Sequence, residues 1–482
     1  MIKFQKKTVV LFVSFLLVVV FTRFYNLAGT ARFTQDESSD LARMNEYYQN
    51  KQISLVGPIS SDRSKVFSSL GYYMLMPFTV AFNFTPVSPV YGMAFLGTLT
   101  AVFMLFIARS VNKRKTILAG TLIMIWFPLV LVSRWAWNPH FVIFWASFAL
   151  LIYQYRARIG SWAYLLIGLF FGFMFHHHYV ALLTTAPFLL FISIPLLKKK
   201  EFKPVILLAL GYLLPHLIFL LFDLKNPPGL FFGRYLTGGN TPHIETELTL
   251  LAAWNNLARN ISVYLGAFIE NSFLKTLFGF SMLSLIILEL KKNFYRTITW
   301  VIPSTAIIFG GIFLDDFQIR YIFSSTAFVF VWLLFSRKEK RSKFLANFCI
   351  LVLILGSLLS IKSQLTFSEV TPNMGIFTKA SQIIIDTVAE HKLNNSNVAA
   401  LSSSDDAPLA ERYRDYVRMK HTGLRAESEY DVSEHLFVIS TANDEILRAD
   451  KSYAMVAFKD KVLRGVFDIE DTEWKVFWYG TK

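Results

Sequence analysis

Thr34-Gln35-Asp36-Glu37 lies just beyond an uncharged apolar run, residues 8–22, and puts two carboxylates at the start of a polar segment. Much later, Gln318-Ile319-Arg320-Tyr321 sets a cation beside a phenol at another hydrophobic boundary. Together these residue types suit group transfer from a phosphate ester. A carboxylate can take the proton of an attacking hydroxyl. Arginine stays charged, and its planar fork grips phosphate oxygens in pairs. A sugar carried on a polyprenyl phosphate needs no general acid, because phosphate already leaves well. Asp36 or Glu37 can be the base, Arg320 the phosphate clamp, and Tyr321 a hydrogen-bond donor beside it. Like-charge repulsion within the acidic pair also holds one proton more tightly. Plainer readings stand next to these: a helix start capped by Asp before residues 38–48, and an arginine that only anchors its helix at the interface.

Ser133-Arg134-Trp135-Ala136-Trp137-Asn138-Pro139-His140 is a second polar loop. Arg134 is a further candidate for the phosphate. Trp137 offers a flat apolar face to a sugar, although interfacial tryptophans are common anchors. Asn138 and His140 add polar partners. His176-His177-His178-Tyr179 suggests zinc at first sight. Neighbouring helical residues diverge by about 100°, so three consecutive rings do not converge on one ion. His177, His178 and Tyr179 better suit hydrogen bonds to sugar hydroxyls or phosphate. No metal ligand set is legible, and a divalent metal stays open but doubtful. Asp315-Asp316 either orients Arg320 or caps its loop. His216, beside Pro215, is expected to bond a carbonyl that the proline frees.

The elements that must carry these residues are membrane helices. The 482 residues are 54% hydrophobic and only 17% charged, with a mean hydropathy of +0.45. Runs of about 20 apolar residues, enough to span a bilayer, recur over the first three quarters. They lack the alternation of a barrel. The net charge of +15 does not indicate nucleic acid, because Lys and Arg cluster in short loops where they set orientation. Cys349 is the one cysteine, so no intrachain disulfide or cysteine metal site is possible.

Basic clusters at Lys3-Lys6-Lys7, Lys113-Arg114-Lys115, Arg156-Arg158, Lys198-Lys199-Lys200-Lys203, Lys291-Lys292-Arg296 and Arg337-Lys338-Lys340-Arg341-Lys343 mark the cytoplasmic side. An even number of crossings must separate them. Parity then demotes 66–84, which holds Gly71, Pro77 and Asn83, to a re-entrant or surface-lying helix. About eleven crossings remain, with the amino terminus inside. A cleaved leader at residues 1–31, ending near Ala28-Gly29-Thr30-Ala31, is the rival for the first span. The expected domains are a transmembrane unit, 1–361, whose first outer loop is 23–88, and a soluble extracytoplasmic α/β unit, 362–482. A fourth outer loop, 223–273, holds Lys225, Arg234, His243, Glu245, Glu247 and Asn260.

In this order the landmarks resemble the class C (GT-C) membrane glycosyltransferases, in the branch of protein O-mannosyltransferases and lipid A aminoarabinose transferases. Arg23-Phe24-Tyr25-Asn26-Leu27 followed by Asp36-Glu37 is similar to that family's first-loop signature, whose aspartate is the base. Ser133–Pro139, Gly172–Tyr179 and Gln318–Tyr321 resemble its later patches. Many members carry an acidic residue in the second outer loop, where this chain has Asn138 and His140, which puts a metal-dependent mechanism in doubt. The resemblance implies an inverting glycosyltransferase at the outer face of a plasma membrane. Its partners would be a polyprenyl-phosphate-sugar donor, membrane lipid and a glycan, lipid or protein acceptor, with no nucleic acid. The rivals are a transporter or lipid flippase, and an inactive relative serving as an assembly subunit.

Overall fold

The computed structural model describes residues 6–59, 66–227, 229–232, 249–314, 317–335, 337, 339–366, 374–401, 410–420 and 423–482. Asp315, Asp316, Arg234, His243, Glu245 and Glu247 lie outside them. The transmembrane unit contains α1 (Lys6–Phe24), α2 (Leu27–Thr30), α3 (Gln35–Gln49), a hairpin of β1 (Val56–Ile59) and β2 (Val66–Ser68), and α4 (Leu70–Ala81). Then follow α5 (Ser88–Val111), α6 (Thr116–Ile125), α7 (Phe127–Ser133), α8 (Phe141–Ile159), α9 (Trp162–His177), α10 (Leu182–Lys198) and α11 (Phe202–Lys225). The series closes with α12 (Leu250–Gly266), α13 (Ser272–Lys292), α14 (Phe294–Gly310), α15 (Phe323–Leu334) and α16 (Lys340–Leu365).

Among the described residues six helices are long and apolar enough to cross a membrane, or seven if the bent pair Lys113–Ile125 and Phe127–Ser133 is one span. The expected count of eleven also includes α8 and the shorter apolar helices α1, α9 and α15. α4, with 12 residues, is about 18 Å long, well short of a hydrocarbon core of about 30 Å. This is a multi-pass α-helical membrane protein. α11 exposes Leu213, Leu214, Leu217, Ile218 and Leu221 on one side, as lipid contact requires. All twelve residues of α15 are buried, so this helix forms the centre of the bundle.

Pro128 explains the break between α6 and α7. It lacks an N–H and leaves the carbonyl of Met124, four residues back, without its helical donor. Arg23 and Thr22, at the end of α1, donate to that oxygen, and Arg23 Nη2 also reaches Ile123 O at 2.8 Å. Arg134, at the end of α7, returns the favour to α1. It donates to the carbonyls of Thr22, Arg23 and Tyr25 and to the Thr30 hydroxyl. Two arginines thus cross-cap two helix ends, and they fix where the loops after α1 and α7 leave the bundle. Arg134 is therefore not a phosphate ligand as its loop suggested. It is 3% exposed and spent on carbonyls.

The tail comprises α17 (Met374–Glu390), β3 (Ser396–Ala400), α18 (Glu411–Lys420), β4 (His435–Ser440), α19 (Asp444–Ala449), α20 (Tyr453–Ala457), β5 (Val462–Asp468) and β6 (Lys475–Gly480). Its sheet order is β3-β4-β6-β5, parallel between β3 and β4 and antiparallel elsewhere. Ala454, Met455 and Phe458 reach the core at helical spacing. β5 is half-exposed along its length.

Candidate functional site

The acidic segment opens α3, with Thr34 as N-cap. Glu37 is 1% exposed, and both its oxygens are engaged. Oε2 accepts from the Thr34 amide and hydroxyl at 2.5 and 2.6 Å, and Oε1 accepts from Trp135 Nε1 at 2.9 Å. Burial pushes its pKa up to about 7, against these bonds, which lower it. Asp36 is only half-buried. Its Oδ2 accepts from Trp137 Nε1 at 2.9 Å. Among the described residues nothing donates to Oδ1.

The second loop supplies both indoles. Trp135 and Trp137 stack with centroids 4.7 Å apart and planes 9° apart. Arg320 lies over Trp137, 5.1 Å from its centroid, and Arg32 over Trp135 at 5.0 Å. A gap of 4.7 Å has no room for a guanidinium, so the arginines cover the outer faces. The result is a column, Arg32-Trp135-Trp137-Arg320, with a carboxylate on each indole N–H. Cation–π attraction holds each arginine; among the described residues no hydrogen bond engages the Arg320 N–H groups, whereas Arg32 also feels the charges of Glu270 and Glu37. Among the described residues no carboxylate pairs with Arg320, which Tyr321 also flanks at 5.4 Å. Trp137 has no free face for a sugar in this arrangement.

His140 supports the column from the side, edge-on to both indoles and to Phe323. Burial pushes its pKa down to about 3, so the ring is neutral. The Trp135 carbonyl, 2.9 Å from Nδ1, can only accept, which puts the proton on Nδ1. Asn138 and His177 pair with each other. Asn138 Nδ2 donates to His177 O, and His177 Nδ1 donates to Asn138 Oδ1. Loop two is thereby pinned to the end of α9. The three histidines diverge: His176 meets His216, which expectation had paired with a freed carbonyl, His177 meets Asn138, and His178 lies 5.3 Å from the Tyr321 ring. Tyr179 donates to Val66 O and stacks on Phe67, and so secures β2.

Three participants escaped the sequence reading. Asp40 sits one turn beyond Asp36, and the Tyr72 hydroxyl donates to it at 2.5 Å. Burial pushes its pKa up to about 8. The spacing 36, 37, 40 was a visible signal, since residues three and four apart share a helix face. Tyr72 and Arg32 carried no such signal. Among the described residues no group of three or more His, Cys, Asp or Glu is placed to hold a metal.

The architecture that presents this column has known counterparts. ArnT from Cupriavidus metallidurans in the apo state superposes with a TM-score of 0.56 at 12% identity, over 98% of each chain. ArnT bound to undecaprenyl phosphate gives 0.55 at 12% identity, over 99% of this chain and 98% of that one. The chain has the GT-C fold. The Archaeoglobus fulgidus oligosaccharyltransferase in complex with zinc and sulfate gives 0.50 at 12% identity, over 97% of this chain and 72% of that one. No protein-family model matches the sequence, and neither does any curated protein. The GT-C likeness thus rests on architecture, with bundle and tail both included.

Proposed function

We propose that the chain is an inverting glycosyltransferase that moves a sugar from a polyprenyl-phosphate donor to an acceptor at the outer face of a prokaryotic plasma membrane. One observation carries the reading. A single indole, Trp137, holds a carboxylate with an open oxygen on its N–H and a cation with open donors on its face. The acceptor hydroxyl gives its proton to Asp36 Oδ1 as its oxygen attacks the anomeric carbon. The bond from that carbon to the phosphate oxygen breaks, and the pair stays on the leaving phosphate. Arg320 meets this growing charge. Attack opposite the phosphate inverts the centre. Glu37, with both oxygens occupied, positions Trp135 and the start of α3.

The fold supports a polyprenyl-phosphate partner through the undecaprenyl phosphate bound in ArnT. Among the described residues no three carboxylates or histidines converge on one point: Glu37 is spent on Thr34 and Trp135, Asp40 on Tyr72, and the histidines diverge. The transporter reading predicts ionisable groups at mid-span. Arg23, Asp223 and Glu289, buried charges on spanning helices, instead each lie in a last turn, and His216, nearer mid-span, pairs with the ring of His176. The tail touches α3, so loop one and tail share a side, and the outward orientation of residues 362–482 follows from placing Asp36 outside.

The test supplies detergent-solubilised protein with a panel of polyprenyl-phosphate sugars and follows consumption of each. Consumption of one of them by the wild type but not by Asp36→Asn supports the reading. No consumption by the wild type, together with movement of lipid or solute across vesicles, replaces it with transport.

A further inference from the structure

The tail grips the chain on both sides of the acidic pair. Met374 N donates to Ala31 O at 3.1 Å, and Arg412 Nη1 donates to Phe33 O at 3.2 Å. Phe33 is 1% exposed and packs on Phe377 of α17, with centroids 4.5 Å apart. Phe377 in turn packs on Tyr413 and Tyr416 of α18. Beyond the pair, Ser38 Oγ donates to Arg412 O at 2.5 Å, and Ser39 Oγ donates to Asp415 Oδ2. Residues 31, 33, 38 and 39 are thus held by the tail, and Asp36 lies midway between them.

The geometry points to a positioning role for the C-terminal α/β unit: α17 and α18 clamp the first turn of α3 and so hold Asp36 at the distance from Arg320 that transfer requires. This rests on the proposed reaction for its catalytic consequence, though not for the clamp itself. The first turn of a helix lacks internal acceptors for its amides and frays unless something outside holds it. Here the Trp135–Trp137 loop holds one side and the tail the other. Without the tail, Asp36 is tied to Arg320 by one indole hydrogen bond and one cation–π contact, and α3 is held from the bundle by the Tyr72–Asp40 bond. A displacement of about 1 Å at a reacting group can cost about a hundredfold in rate. Asp415 and Phe377 are therefore positioning residues that act through α3.

The experiment uses full-length protein in detergent, with Asp415→Ala, Phe377→Ala and Asp415→Asn. Hydrogen exchange of residues 34–40 should speed up about tenfold in the alanine variants, the size expected for losing one hydrogen bond. Exchange in β4 should stay as in wild type, which reports that the tail remains folded. Asp415→Ala removes only a half-buried carboxylate, so it covers the case in which Phe377→Ala fails to fold. Single-turnover transfer should fall about tenfold with KM for donor and acceptor unchanged, and Asp415→Asn, whose amide oxygen still accepts from Ser39, should restore both readouts. Unchanged exchange at 34–40 overturns the clamp. Faster exchange with wild-type turnover, or a raised acceptor KM at full turnover, overturns the positioning role in favour of a tail that binds acceptor. Where wild-type protein consumes no lipid-linked sugar, the proposed function fails, and the exchange result still decides the clamp.

Discussion

The two ends of the bundle treat their charges in opposite ways. At the end of the basic clusters, Glu289 is 3% exposed and lies 3.1 Å from Arg296 and 3.6 Å from Arg337. The Nη groups of Arg337 cap the carbonyls of Trp332, Leu333 and Phe335 as α15 ends, and Lys115 donates to Leu333 O. Those charges are answered by partners. At the other end Arg320 rests on an indole face with no carboxylate partner among the described residues, Arg32 rests on the other indole near Glu270 and Glu37, and Asp36 accepts one hydrogen bond. Charges held in place yet unanswered are what a charged substrate needs, whereas charges answered internally are what a helix junction needs. The comparison separates site from scaffold.

The sharpest way to break it is Asp36→Asn. This change keeps size and the acceptor for Trp137 but removes the base, and general-base catalysis is worth about 10²–10⁴ in rate. Single-turnover transfer at saturating donor should fall by that factor with folding unchanged. If Glu37→Gln is instead the inactive variant and Asp36→Asn is not, the two carboxylates exchange roles.

At the opposite end, Glu289→Ala should act on stability alone. Removing one partner of a buried pair costs about 3–5 kcal/mol, because the remaining guanidinium stays uncompensated. Thermal unfolding in detergent should shift down strongly, with turnover per folded molecule unchanged. Loss of turnover in the surviving folded fraction would show that the inner end does more than join helices.

The reach of the sequence follows the same division. Hydropathy placed the helices, and the acidic start of α3 was legible because Asp36-Glu37 sits where a helix N-terminus favours carboxylates. The column was not legible. Trp135 meets Glu37 across 98 positions and Trp137 meets Asp36 across 101, and only the crossing of α1 with α6 and α7 joins them. Arg134 shows the converse error. Its residue type suited a phosphate, but the break at Pro128 and the end of α1 supplied carbonyls that no local pattern reveals. The docking of the tail depends on Phe33, one apolar residue among many.

Arg320→Lys sharpens the outer end further. Lysine keeps the charge and can reach the interface, so a mere anchor tolerates it. It loses the planar fork and the stacking on Trp137. One lost charge-assisted bond, about 1.5–3 kcal/mol, corresponds to roughly ten- to a hundredfold in turnover. The loss should exceed any loss of donor affinity, because the phosphate gains charge only as its bond breaks. Equal losses in both would make Arg320 a ground-state donor contact.

Per proton and per pH unit the smallest expected effect is on stability against pH, and it again divides the carboxylates. Burial raises Glu37 from 4.5 to about 7 and Asp40 from 3.8 to about 8. Both raised values mean that the folded state holds protons more tightly than the unfolded chain. Their contribution is therefore fully present below about pH 4 and is lost as pH rises through 7 and then 8. One proton changes stability by at most about 1.4 kcal/mol per pH unit. Unfolding followed from pH 4 to 9 should show a decline across this window. Asp40→Asn, which still accepts from Tyr72, should flatten its upper part, and Glu37→Gln should flatten its lower part. A decline that survives both changes would mean that neither buried carboxylate is the titrating group and would remove the ground for separating a positioning Glu37 from a reactive Asp36.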